Sequence, residues 1–167
     1  DYPHKNLTDF VGAMLDLLDK GLDFEINITL TKSQLINSKL WDSKLNKVTN
    51  FYGYVESKKL MFDLFSNNTI LISTSVVETL GLHVVDAVIS GVLTITPKEY
   101  YADEVYGRER LSYSLFDPVS LSNVILKTVS TKEKFYDHII NQQTYLVKNE
   151  TKKLKNAKCI FKEVLNV

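Results

Sequence analysis

Residues 48–97 read VTNFYGYVESKKLMFDLFSNNTILISTSVVETLGLHVVDAVISGVLTITP, and the elements assigned to this stretch decide the fold. Val48 to Glu56 is rich in Val, Thr, Phe and Tyr, the residues that suit a pleated, half-buried surface, so a strand is expected there. Ser57-Lys58 reads as its turn, Leu60 to Phe65 as the return strand, Ser66-Asn67-Asn68 as the next turn and Thr69 to Ser73 as a third strand. Val76 to Leu82 reads as one or two helical turns closed by Gly81. His83 to Thr96 is a long β-prone run broken at Ser90-Gly91, where a bulge or tight turn fits. A meander has no crossover helices, so the expected class is α+β: a mostly antiparallel sheet, partly closed into a barrel in one version, with three to four packed helices.

Working outward, Leu7, Phe10, Val11, Met14, Leu17 and Leu18 recur at three- and four-residue steps and predict an amphipathic helix, with Gly21 just past its end. Leu22 to Leu30 alternates apolar and polar without a break and predicts a half-buried strand. Thr31 and Gln34 have the spacing of a capping box opening a short helix. Beyond Pro97, the polar and aromatic segment Lys98 to Arg110 reads as irregular, and Leu111 to Phe116 as a strand. Asp117-Pro118 is a cap followed by a first-turn proline. Ser130 and Glu133 open a helix to about Gln142 that buries Phe135, Tyr136, Ile139 and Ile140. Thr144 to Lys148 is expected as a strand, Asn149 to Lys158 as a charged turn, and Cys159 to Val167 as a closing strand.

Composition excludes several classes. The chain has 167 residues, 44% of them apolar, with 6 Gly and 3 Pro, which argues for one globular domain over 1–167 and against disorder. The first residue is Asp1, so excision from a larger protein is expected. No apolar run approaches the roughly 18–20 residues of a membrane span. One cysteine leaves no intramolecular disulfide and no thiolate metal site. Four glycosylation-type triplets, at Asn6, Asn27, Asn67 and Asn149, are read as chance, and an intracellular home, cytoplasm or nucleus, goes with that reading.

Chemistry is hard to find along the chain. His4 lies near the terminus, His138 on the exposed side of a predicted helix, and His83 at a strand start beside no motif. Cys159 is expected to be buried and structural, since a lone cysteine in an apolar run behaves as a small hydrophobe. Asp16 and Asp19 read as the solvated side of the first helix. The scattered glycines form neither a dinucleotide fingerprint nor a phosphate loop. No metal site and no cofactor is expected.

Charge is balanced overall but uneven along the chain: residues 127–162 carry nine lysines against Glu133, Asp137 and Glu150. Lys148, Lys152, Lys153, Lys155 and Lys158 are expected to form an exposed basic patch. Tyr100, Tyr101, Tyr106 and Arg108 mark a candidate partner-contact loop, because tyrosine offers large contact area at low entropic cost. The strand-strand-strand-helix-strand order of residues 48–96 resembles the layout of oligonucleotide-binding five-stranded barrels. That resemblance implies base stacking on Phe51, Tyr52, Tyr54, Phe62 or Phe65. The expected function is therefore a non-enzymatic protein-interaction or assembly domain, with a protein as the main partner. The alternatives are a barrel that binds single-stranded nucleic acid and an enzyme whose site is assembled in space.

Overall fold

The structure is a computed structural model of the chain. It describes residues 3–56, 58–65, 69–108, 110–131 and 135–165, with backbone only for Lys58, Leu60, Phe135, Glu150 and residues 153–165. A 3-10 turn at Pro3–Lys5 leads into α1 (Leu7–Asp19), β1 (Ile26–Ile28), α2 (Lys32–Asn37), a 3-10 segment at Ser43–Val48, β2 (Thr49–Phe51) and α3 (Lys58–Asp63). There follow β3 (Ile70–Ile72), α4 (Leu82–Ile89), β4 (Leu93–Pro97), α5 (Tyr100–Tyr106), β5 (Leu111–Tyr113), α6 (Pro118–Ser130) and α7 (Phe135–Leu165).

Every strand pairing is parallel. β1 pairs with β2, Ile26 opposite Thr49. In the second sheet β4 lies between β3 and β5, with Ile72 opposite Ile95 and Ile95 opposite Leu111. The expected mostly antiparallel sheet, and the partly closed OB-like version of it, are thus overturned, and the reason lies in two segments. Leu60-Met61-Phe62 is apolar throughout and gives no period, yet Leu and Met favour helix and no residue in the run is β-branched. It belongs to α3, so the hairpin read there does not exist. His83 to Ile89 looks β-prone because of its valines, but Val84, Ala87 and Val88 fall at helical spacing. Those three side chains are buried in α4, while Leu82 and Ile89 are exposed. With α3 a helix no hairpin forms, and with α4 a helix the chain returns along the sheet from β3 before β4 begins, so those two strands pair in parallel.

The core has three layers. Ile70, Ile72, Ile95 and Leu111 point to one face, where Val11, Met14 and Leu17 of α1 and Leu121 and Ile125 of α6 cover them. Leu71 points to the other, against Val84, Val88, Ala102 and Tyr106 of α4 and α5. All five residues of β4 are buried. The two threonines among them are satisfied by side chains: Gln142 Nε2 donates to Thr94 Oγ1 at 2.8 Å, and Arg110 Nε to Thr96 Oγ1 at 2.8 Å.

Three local capping signals held, at Gly21, Thr31 and Asp117, whereas Ser130, read as opening a helix, closes α6. Leu22 N–H reaches back to Leu17 O at 3.1 Å around Gly21, whose φ of +75° only glycine adopts cheaply. Thr31 and Gln34 form the reciprocal capping box. Asp117 accepts from Ser120 N–H at 2.9 Å, with Pro118 opening α6. The strand expected over residues 22–30 shortens to β1. Lys98–Arg110, expected to be irregular, contains α5. The strands and turn expected over residues 144–167 are one helix as far as Leu165, and Glu133 lies outside the described residues. Ile139 is buried as expected, but Tyr136 and Ile140 are exposed.

Leu17 is 1% exposed at the centre of the first layer. Leu17→Ala is expected to lower unfolding free energy by about 2–5 kcal/mol in a urea titration. An unmoved midpoint would mean that this face is not core.

Candidate functional site

Parallel strands put their carboxyl ends on one edge, and ligands of open parallel sheets bind outside that edge where the chain changes direction across the sheet. Here the described strands form two separate sheets, β1-β2 and β3-β4-β5, and the crevice falls between the segments that carry β1 and β3. A cavity of about 1060 Å³ lies there, lined by residues 22–30 on one side and residues 69–75 on the other. Lys5 and His83 stand at its wall with Ser73, Thr74 and Ser75 from the end of β3.

These side chains come together because two main-chain segments are tied to each other. Val76 N–H donates to His4 O at 2.7 Å, and Thr74 Oγ1 donates to Lys5 O at 2.7 Å. The turn at Pro3–Lys5 is thereby fixed on the loop that follows β3. Lys5 Nζ donates to Glu78 Oε1, and Ser75 Oγ donates to the same carboxylate at 3.2 Å. Gly81 then opens α4 in the left-handed region at φ +56°, with no side chain to cap the first N–H groups. A Cβ on Gly81 would sit 1.8 Å from the Tyr106 hydroxyl, so glycine is demanded by both conformation and space. His83 Nε2 lies 3.4 Å from Ser73 Oγ.

Burial raises the Glu78 pKa, but the Lys5 hydrogen bond and charge and the Ser75 hydroxyl outweigh it and hold the carboxyl below its usual value. Burial, then the Lys5 ammonium, push the His83 pKa below that of an open histidine, against the opposing pull of Glu78 and Asp86. The arrangement is therefore a neutral imidazole, an ammonium and an uncapped helix start around one carboxylate. Cation and helix dipole both favour an anion.

The next shell is built by α5. Tyr101 donates its hydroxyl to Ser75 O at 2.6 Å, and Tyr106 donates to Leu80 O at 3.2 Å. Burial pushes both phenols up, Tyr106 to about 12, so both are donors at neutral pH. Arg110, buried beneath α5, donates to Asp103 and to the carbonyls of Gly107 at 2.8 Å and Pro97 at 3.0 Å.

The residues singled out in the sequence are dispersed. Tyr100 is 80% exposed, while Tyr101 and Tyr106 point inward as described. Arg108 is exposed, 3.9 Å from Asp103. Lys148 and Lys152 are exposed on α7; the side chains of Lys153, Lys155, Lys158 and Cys159 lie outside the described residues. Asp16, far from solvated isolation, accepts from Lys20 at 2.5 Å and from Ser122 of α6; the Lys20 bond, then the Ser122 bond, lower its pKa. The aromatics proposed for base stacking lie on different elements: Phe51 of β2 packs edge-on to Trp41 at 5.8 Å, Phe62 of α3 packs edge-on to Phe65 at 6.1 Å, and Tyr54 stands 86% exposed. Among the described residues no group of three His, Cys, Asp or Glu side chains could hold a metal, and no helix is long and apolar enough to cross a membrane. Lys5, Glu78 and Gly81 were missed as site residues. The signal was present as Ser73-Thr74-Ser75 at a strand end followed by Gly81 before a helical stripe, but it is readable only once α4 is recognised as a helix.

No protein-family model matches the sequence, and no curated protein matches it. Solved structures do. The C-terminal domain of a glycosyl transferase group 1 family protein from Francisella tularensis superposes with a TM-score of 0.69 at 16% identity, over 90% of this chain and 82% of that one. A glycosyltransferase from Rickettsia africae gives 0.67 at 19% identity, over 97% of this chain. HepE of Anabaena, in complex with UDP and glucose, gives 0.68 at 15% identity, over 95%. The chain spans about half of the last two proteins, 45% and 46% of their length. The fold is the Rossmann-like one of GT-B glycosyltransferases. This overturns the expected non-enzymatic interaction or assembly domain and the alternative of a nucleic-acid-binding barrel, since the likeness covers nearly the whole chain and the similar structures are glycosyltransferases.

Because the folded pKa of His83 lies below its unfolded value, the neutral ring stabilises the fold above about pH 6.5. That contribution is lost as pH falls through the lowered value. Lys5→Ala removes one of the two downward pushes, so the His83 titration seen by NMR is expected to move up. A titration that stays in place would separate Lys5 from this cluster.

Proposed function

We propose that this chain is the nucleotide-binding half of a glycosyltransferase and takes a nucleoside diphosphate sugar at the carboxyl edge of β3. The observation that carries the reading is the Lys5 ammonium held by Glu78 on the loop that leads into the uncapped start of α4, beside the cavity that Lys5 and His83 line. The nucleoside enters the cavity between β1 and β3, and the diphosphate lies across Lys5 and the first N–H groups of α4. Glu78 now occupies the ammonium of Lys5, and phosphate oxygens take its place.

The chemistry follows from charge. In glycosyl transfer an acceptor hydroxyl forms a bond to the anomeric carbon as that carbon's bond to the diphosphate oxygen breaks. Negative charge grows on the departing diphosphate. A fixed ammonium and a helix start aimed at that oxygen stabilise the charge as it develops, more than they stabilise the intact donor. His83, held neutral, hydrogen-bonds a phosphate or sugar oxygen without adding charge. The acceptor and the remaining catalytic groups belong to a second half, of the kind that makes the similar full-length structures about twice as long as this chain.

Calorimetric titration with UDP tests the reading. Binding is expected, weakening with added salt as Lys5 is screened. Lys5→Ala is expected to cost about ten- to hundredfold in affinity, the worth of one charge-assisted hydrogen bond. Heat-free titrations, or equal affinity for the variant, would refute the assignment.

A further inference from the structure

The loop that carries Glu78 runs from Ser75 to Gly81 with no regular secondary structure, and two described elements grip its main chain, the 3-10 turn at Pro3–Lys5 through His4 O, and α5. α5 does so through two phenols, Tyr101 to Ser75 O at 2.6 Å and Tyr106 to Leu80 O at 3.2 Å. The two carbonyls lie at the two ends of the segment, so the pair fixes its entry and its exit. The geometry points to Tyr101 and Tyr106 as positioning residues, whose hydroxyls set where Glu78 meets Lys5 and where α4 starts; for diphosphate binding this rests on the function proposed above.

Three further observations make the grip a built one. α5 is itself immobilised: Arg110 joins Asp103 and Gly107 at its carboxyl end to Pro97 of β4. On its outer side Tyr145 of α7 donates to Glu104 O at 3.1 Å. The approach of Tyr106 to the loop is close enough that a Cβ on Gly81 would overlap its hydroxyl. A rigid helix therefore presents two donors to a segment that carries Glu78, the carboxylate on Lys5, and Gly81, the residue that opens α4. Such supporting hydrogen bonds decide whether a site is held to within a fraction of an ångström. The tyrosines act through the main chain and touch no ligand.

The test uses the whole chain with Tyr101→Phe, Tyr106→Phe and both together, and Tyr145→Phe as the control that loosens α5 without touching the loop. Three quantities are read: the melting midpoint, the NMR titration of His83, and the affinity for UDP. His83 reports the loop because Ser73, Lys5, Glu78 and Asp86 surround it. For the Tyr101 and Tyr106 variants, the His83 titration is expected to move up toward that of an open histidine. UDP affinity is expected to fall by roughly three- to tenfold. Tyr145→Phe should lower the melting midpoint and move the other two readings much less than either loop tyrosine does. Folded single and double variants with an unmoved titration would overturn the inference, as would an equal shift from Tyr145→Phe. If the double variant does not fold, the single variants decide by the same two readings. If the wild-type chain fails to bind UDP, the proposed function falls, and the His83 titration still decides whether the tyrosines place the loop.

Discussion

Parallel pairing is the constraint on which the rest depends. Two parallel strands cannot be joined by a tight turn, so the chain must cross back along the sheet before the next strand begins. In this protein α4 returns the chain from β3 to β4, and α5 lies between β4 and β5. The crossings place α4 and α5 on one face, opposite α1 and α6 on the other, and leave the carboxyl ends of β3, β4 and β5 at one edge. The edge then gathers what the loops carry there: Ser73 to Glu78 after β3, Pro97 to Tyr101 after β4, and Ser114 to Phe116 after β5. A site at that edge is a consequence of the topology before any side chain is considered.

The same constraint explains the polar groups inside. A central parallel strand is covered on both faces, and β4 alternates Leu93 and Ile95 with Thr94 and Thr96. Each buried hydroxyl needs a partner, since an unpaired one costs about 1–3 kcal/mol. Gln142 from α7 and Arg110 from the loop before β5 supply them. Arg110 does more than satisfy Thr96. It joins the carboxyl end of α5 to the end of β4, and α5 carries the tyrosines that face the site. Packing and site geometry are thus linked through one guanidinium.

Legibility in the sequence followed the physics of each segment. The helix from Leu7, the capping box at Thr31 and the Asp117-Pro118 start of α6 were readable because periodicity or capping chemistry there has one solution. The fold class was not. Leu60 to Phe65 has no period, and the valines of α4 carry a β-prone composition over a helical spacing; packing against Tyr106 and Ala102 decides in favour of the helix. Reading both segments as strands turned a crossover fold into a meander. The site was hidden for a different reason. Lys5 and Glu78 are 73 residues apart and neither sits in a dense motif, so only folding brings them together. Tyr101 and Tyr106 were noticed as tyrosines, but their direction, inward to main-chain carbonyls, is a tertiary fact.

Electrostatics at the edge is economical. Lys5 is exposed enough to exchange Glu78 for another anion, and Glu78, 15% exposed at its side chain, is held low in pKa by that same lysine. In the proposed function that carboxylate holds the ammonium until a phosphate takes its place. The most direct measurement is an amide NMR map of the whole chain as UDP is added. The account predicts the largest shifts at Lys5, at Ser73 to Ser75 and at Gly81 to Val84. Shifts confined to the outer face of α7 around Tyr145 and Lys148, or none at all, would contradict it.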